Sequence, residues 1–276
     1  MASASGDLSS PRRPRRLLIP LVAVLAGLFG GLVGAWAIPT RNNSSSAGGT
    51  SRVSSVSLVG QVSGTTTAIV KEVEPAVVLV QARSGGQISD EGTGMIITSS
   101  GEVVTNNHVV SGATSVTVVL NGATTSLSAT VIGTDLTDDI ALLRIQGVSN
   151  LATVTFANSS SVSVGDGVVS IGYALGLTGD PTVTTGIISA RNRTITATDS
   201  SGASSESLTG LLQTDAAISS GDSGGPLVDS SGYVIGMDTA SAASNSSSTA
   251  QNVGFAIPST KLESIIVQLQ SGGQTT

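Results

Sequence analysis

Between residues 66 and 270 the chain is cut into a dozen short aliphatic and β-branched stretches by recurrent turn signals, and nothing else in it restricts the fold so tightly. The stretches fall at 76–82, 94–98, 103–105, 115–120, 126–132 and 141–145, then at 167–171, 182–190, 211–214, 226–228, 234–239 and 253–257. Turn pairs such as Asn121-Gly122 and Ser231-Gly232 separate them. Two groups of six short strands predict an all-β fold, two antiparallel six-stranded β-barrels packed side by side. Aromatic residues make up only 2% of the chain, so the cores must be built from Val, Ile and Leu. Residues 67–74 predict a short helix stopped by Pro75. Leu262, Ile265, Ile266 and Leu269 stand at helical spacing and predict a closing C-terminal helix over 260–270.

One connection has chemistry written into it. Residues 211–228 read LLQTDAAISSGDSGGPLV, with Ser223 between Gly221-Asp222 and Gly224-Gly225. A serine so placed sits on a turn that a chain bearing Cβ atoms could not follow. Such a turn exposes the hydroxyl and aims the N–H groups of Gly221 and Ser223 at one point beside it, which makes a nucleophile and an oxyanion hole from one loop. The plainer alternative is a glycine-rich turn whose serine caps its own backbone. A serine nucleophile needs a base, and the chain has a single histidine, His108. A lone histidine among β-branched residues is more often structural. If Ser223 is histidine-activated, however, His108 has no competitor for the role. Asp139 fits the third position, a carboxylate between the two in chain order, with Asp138 as its rival.

The segments TNNHVV (105–110), DDIALL (138–143), QTDAAISSGDSGGPLV (213–228) and NVGFAIPS (252–259) together resemble the HtrA/Deg branch of the trypsin-like serine proteases. The likeness runs in order from about residue 66 to 270. It implies His108 as base, Asp139 as the orienting carboxylate, because the family places its aspartate directly before the Ile-Ala pair, Ser223 as nucleophile and Gly221 as an oxyanion donor. It further implies hydrolysis of unfolded or extended protein and peptide substrates through an acyl-enzyme, in extracytoplasmic quality control or regulated proteolysis. No cofactor is needed, and a homo-oligomer is left open. Two departures stand out. Asp222 occupies a position where family members often carry asparagine, and no PDZ-like module follows before Thr276.

Exclusions narrow the specificity. Cleavage after Lys or Arg requires a carboxylate six residues before the serine, and that residue is Ala217. Glutamate-specific relatives use a second histidine, which this chain lacks. Ala217 and Ile218, with the strand through Thr239 and Ala240, predict a small apolar pocket for Val, Ala or Leu.

The N-terminal quarter is different. Residues 1–16 end in PRRPRR, and residues 17–38 hold no charge over 22 positions. As a helix this run would rise about 33 Å, enough to span a bilayer core. Arginines before it and none directly after predict a cytoplasmic N-terminus and an extracytoplasmic domain, anchored to the cell membrane by a single pass. The competing reading is a secretory signal cut after Ala35-Trp36-Ala37. Residues 39–65 read as a Ser/Gly-rich tether and 271–276 as a tail. Beyond residue 65 the chain carries 6 basic and 17 acidic residues, which argues against nucleic-acid binding. One histidine and no cysteine argue against a zinc or haem site. A membrane-tethered, non-catalytic peptide-binding or chaperone-like module with an idle triad is the alternative from a different functional class.

Overall fold

The computed structural model describes residues 59–198, 205–241 and 252–272. The expected membrane span, its basic lead, most of the tether and positions 273–276 lie outside them. Among the described residues no helix is long and apolar enough to cross a membrane.

Helix α1 (Val59–Val73) begins earlier than residue 67, inside the stretch read as tether. Pro75 stops it as expected, within a single 3-10 turn at Glu74–Ala76. Strands β1 (Val77–Ser84), β2 (Gln87–Ile96), β3 (Glu102–Thr105), β4 (Ser115–Leu120), β5 (Ser126–Asp135) and β6 (Ile140–Ile145) follow, with the one-turn helix α2 (Asn107–Val110) after β3. They close a barrel in the order β1-β2-β3-β6-β5-β4. Strands β7 (Gly167–Gly172), β8 (Thr182–Thr198), β9 (Ser205–Thr214), β10 (Pro226–Val228), β11 (Val234–Ser241) and β12 (Gly254–Pro258) close a second, in the order β10-β11-β12-β9-β8-β7. The two six-stranded barrels expected from the sequence are both present.

Several strands read as unbroken apolar runs because both their faces are buried. Val78 and Val80 of β1 and Ala141, Leu143 and Ile145 of β6 fill the first barrel. Their neighbours Val77, Leu79, Ile140 and Leu142 point outward into a shared core with Val169, Ile171, Val228 and Met237 of the second. Val168, Ile188, Leu212, Leu227 and Ile235 fill the second barrel. Fully burying one such side chain is worth about 1.5–3 kcal/mol, so the central core fixes the two barrels against each other.

Two helices cover that core. Ile69 and Val73 of α1 join it, as do Leu262, Ile265, Ile266 and Leu269 of α3 (Ser259–Gln270), the closing helix read from the sequence. Each helix reaches across the molecule. A Cβ on Gly232, in the β10–β11 turn, would lie 3.7 Å from both Glu72 and Val73 of α1. Leu269 packs on Gly133 of β5, and Gln270 Nε2 donates to Glu102 Oε2 of β3 at 2.9 Å.

Candidate active site

Register brings two of the expected residues together. Thr105 of β3 pairs with Ala141 of β6, so the residues just after β3 lie opposite those just before β6. His108 therefore meets Asp139. Its Nδ1 is 2.8 Å from Asp139 Oδ2, and its backbone N–H donates to Asp139 Oδ1 at 2.8 Å. The aspartate is buried, with 3% of its side chain exposed, whereas the imidazole is 44% exposed and open to the cleft. Asp139 adopts a left-handed backbone (φ 55°), a conformation that costs free energy in a residue with a Cβ and persists only where its surroundings hold it. Asn107 N–H and Asn106 Nδ2 both donate to its carbonyl, at 3.1 and 3.0 Å.

Asp139 Oδ2 also accepts from Asn106 Nδ2 at 3.0 Å and from Thr239 Oγ1 at 2.9 Å. Four hydrogen bonds thus converge on a carboxylate that water barely reaches, which satisfies the acceptor-only ionised form. Thr239 comes from the second barrel. A register shift between Asp238 and Ala240 in the β11–β12 pairing sets this residue off from the regular ladder. It was expected to border the specificity pocket, and its hydroxyl turns instead to the aspartate.

Ser223 lies between β9 and β10, and its Oγ donates to Thr239 O at 3.1 Å. Thr239 therefore touches Asp139 with its side chain and Ser223 with its carbonyl. Asp138 is held elsewhere: its carboxylate pairs with Lys261 of α3. The turn around Ser223 is pinned to the first barrel by Thr93 of β2, a wholly buried residue. Thr93 N–H donates to Ser223 O at 2.8 Å, and its Oγ1 donates to Gly221 O at 2.7 Å while accepting from Tyr173 N–H at 2.8 Å. Gly221 and Gly224 have φ of 92° and 91°. A Cβ on Gly224 would stand 2.0 Å from Thr93 O, so the turn can approach β2 only without side chains there.

The amides of Asp222, Gly224 and Gly225 donate to Ser219 O, Asp238 O and Asp222 O. Those of Gly221 and Ser223 have no acceptor among the described residues. Two adjacent open donors beside a serine hydroxyl are what a developing oxyanion requires. Below them Asp222 is buried, which pushes its carboxyl up to about 6 against the opposing Ser219 N–H. Asp238 is more completely buried, and burial holds it well above the usual carboxylate range. Ser170 opposes that rise and the charge of Asp222 adds to it.

Of the expected pocket residues, Ala217 is exposed and its carbonyl accepts from Thr184 Oγ1 at 2.9 Å. Ile218 is 7% exposed and packs on the backbone of Gly254, where a Cβ would lie 2.5 Å from its Cδ1. Ala240 pairs with Phe255 in the β11–β12 ladder. Asn106 and Thr93 gave no sequence signal as site residues. Asn106 lies inside the TNNHVV segment, where the likeness marked only the histidine, and Thr93 lies in none of the segments that carried it. No cluster of three or more metal-ligating side chains occurs among the described residues.

Residues 92–237 match the family model of the trypsin-like peptidase domain. The chain is 35% identical to the serine protease PepD of Mycobacterium tuberculosis, over 96% of this chain and 61% of that protein. It is 36% identical to the serine protease Do-like HtrA of Lactobacillus helveticus, over 99% of this chain and 74% of that one. With the periplasmic serine endoprotease DegP of Escherichia coli it shares 41% identity, over 66% of this chain and 36% of the relative. Among solved structures it resembles the serine endoprotease from Yersinia pestis, with a TM-score of 0.60 and 32% identity, covering 74% of this chain and 66% of that one. The chain thus spans less than two thirds of several of these relatives.

Proposed function

The chain belongs to the HtrA-type trypsin-like serine proteases, and we propose that it is a serine endopeptidase working through His108, Asp139 and Ser223. The observation that supports this reading is the double contact of Thr239: its hydroxyl donates to Asp139, the partner of His108, and its carbonyl accepts from the Ser223 hydroxyl. His108 takes the proton of Ser223, whose oxygen attacks the peptide carbonyl. The open N–H groups of Gly221 and Ser223 hold the oxyanion. His108 then protonates the leaving amine, and water repeats the sequence on the acyl-enzyme. Asp139 fixes the imidazole through Nδ1 and stabilises its protonated form.

The cleavage preference we propose is for small and medium aliphatic residues. Ala217, Ile218 and the strand through Thr239 and Ala240 offer a Lys or Arg side chain no carboxylate, and burying its charge unpaired costs several kcal/mol. Residues 17–38 are proposed to anchor the protein with its catalytic domain outside the cytoplasm, acting on unfolded or extended protein segments. The periplasmic placement in the name of the Escherichia coli relative supports that side of the membrane.

Fluorophosphonate labelling of the full chain, beside Ser223→Ala, tests the chemistry. Labelling at Ser223 with hydrolysis of a peptide library after Val, Ala or Leu is the expected result. A chain that is folded but never labelled would instead be a binding module, and a library profile led by Arg, Lys or Glu would refute the pocket. Retention in the membrane fraction after carbonate washing tests the anchor.

A further inference from the structure

Two buried carboxyl groups behind the nucleophile take no part in the reaction above. Asp222 and Asp238 are 3% and 0% exposed, and in each the Oδ1 atom is buried with no hydrogen-bond partner among the described residues. Their other oxygens are held. Ser219 N–H donates to Asp222 Oδ2 at 2.8 Å, and Ser170 Oγ donates to Asp238 Oδ2 at 2.6 Å. Strand β7 locates both. Ser170 and Gly172 share one face of it, two residues apart. A Cβ on Gly172 would stand 2.7 Å from Asp222 Oδ1, so the two carboxyl groups lie on the same face, one pleat from each other. The backbone joins them as well: Gly224 N–H donates to Asp238 O, Asp238 N–H to Gly225 O and Gly225 N–H to Asp222 O.

Neither carboxyl pairs with a Lys or Arg among the described residues. Two neighbouring buried carboxylates without a counter-charge cannot both ionise readily, and one proton between their free oxygens would satisfy both. We propose that Asp238 is a positioning residue for the peptidase reaction, sharing one proton with Asp222 through their Oδ1 atoms and so fixing the 219–223 turn that carries the oxyanion donors. This rests on the reading of Ser223 as nucleophile. Burial displaces both carboxyls upward, and the charge of Asp222 adds to the rise at Asp238, the direction that a shared proton requires.

The groups packed around the pair do not supply a substitute. Strand β7 contributes Ser170 and Gly172, and Tyr173 directly after it has a phenol pushed up to about 12 by burial and by the charges of Asp180 and Glu74. Glu91 of β2 lies against Gly176, and β10 and β12 bring no charged side chain. Across the cleft stand Asp139 and His108, the one group in this set able to carry positive charge. When the shared proton leaves, the two carboxylates repel, and the strain falls on the Ser219 amide and the turn it begins.

The test is the pH profile of kcat/KM on an aliphatic peptide, with the full chain. Wild type should lose activity on the alkaline side as the pair gives up its proton. Asp238→Asn supplies a permanent N–H donor to Asp222, so it should keep neutral-pH activity within about threefold and lose the alkaline fall. Asp238→Leu, with no donor, should lose about tenfold or more at neutral pH, mainly in kcat. An alkaline fall unchanged by Asp238→Asn, or wild-type activity in Asp238→Leu, overturns the proposal. An infrared titration of Ser223→Ala reads the proton without turnover: one protonated carboxyl at neutral pH, absent after adding Asp238→Asn. Its absence from Ser223→Ala itself also overturns the proposal. If wild type hydrolyses nothing at any pH and Ser223 resists labelling, the peptidase reading has failed, and the infrared result still decides whether the proton is shared.

Discussion

Gly221→Ala puts the geometry of the oxyanion turn to a quantitative trial. The new Cβ would stand 2.4 Å from Tyr173 O, 2.8 Å from Leu175 N and 2.9 Å from Gly176 N. All three are backbone atoms, so no side-chain rotation makes room, and ordinary contact demands that something yield by about 1 Å. The turn is also tied on both sides, by Thr93 Oγ1 on Gly221 O and by Leu175 N–H on Ser220 O at 2.6 Å. If it stays in place, φ of 92° adds about 1–3 kcal/mol of strain and overpacking about 1–3 more, a destabilisation of about 2–6 kcal/mol. If it retreats instead, stability recovers but the Gly221 N–H loses its aim, and kcat should fall about 10²–10³-fold. Urea unfolding and peptide hydrolysis on the same sample separate these outcomes. A variant within about 0.5 kcal/mol of wild type in stability and about threefold in kcat would refute the reasoning, because neither escape would have been needed.

Asp139→Asn should lower kcat by about 10⁴-fold, while Asp138→Asn, which loses only a partly exposed pairing with Lys261, should change stability by less than about 1 kcal/mol and leave kcat within a few fold. Reversed kinetics would reassign the triad. Leu269→Ala, at a fully buried position of α3, should cost about 2–5 kcal/mol in denaturant unfolding. Because the folded state raises the pKa of Asp222, its contribution is most favourable below the ordinary carboxylate range and is lost as pH climbs through about 6. Unfolding midpoints should therefore shift progressively in favour of Asp222→Asn relative to wild type as pH rises across that window. A constant difference would count against the shift.

How much of this was legible depended on the kind of information each feature needed. Strands such as β1 and β6 were plain because burial on both faces turns them into continuous runs, VVLV and IALL. The first half of β2 and the outer arm of β8 and β9 escaped notice. Residues 87–90 and 191–194 are exposed, and backbone pairing leaves no apolar mark on such positions. The choice of His108 as the proposed base was forced by there being only one histidine. Thr93 and Thr239 could not be found that way, because their roles follow from contacts across 128 and 100 residues of chain, fixed by barrel packing rather than by any local pattern. Asp238 is the sharpest instance: in sequence it is one acid in a strand, and only the face of β7 puts it beside Asp222.

The crossing helices bear on how such an enzyme outlasts its own activity. The helix that precedes the first barrel lies against a turn of the second, and the helix that follows the second fills a hollow on the first. Each half is strapped by a segment covalently belonging to the other. The connection between the barrels is then relieved of holding them together, although residues 146–150 are mostly exposed. A single nick there would yield two fragments still clasped around an intact cleft, and self-digestion at that point would leave a working two-chain enzyme rather than debris.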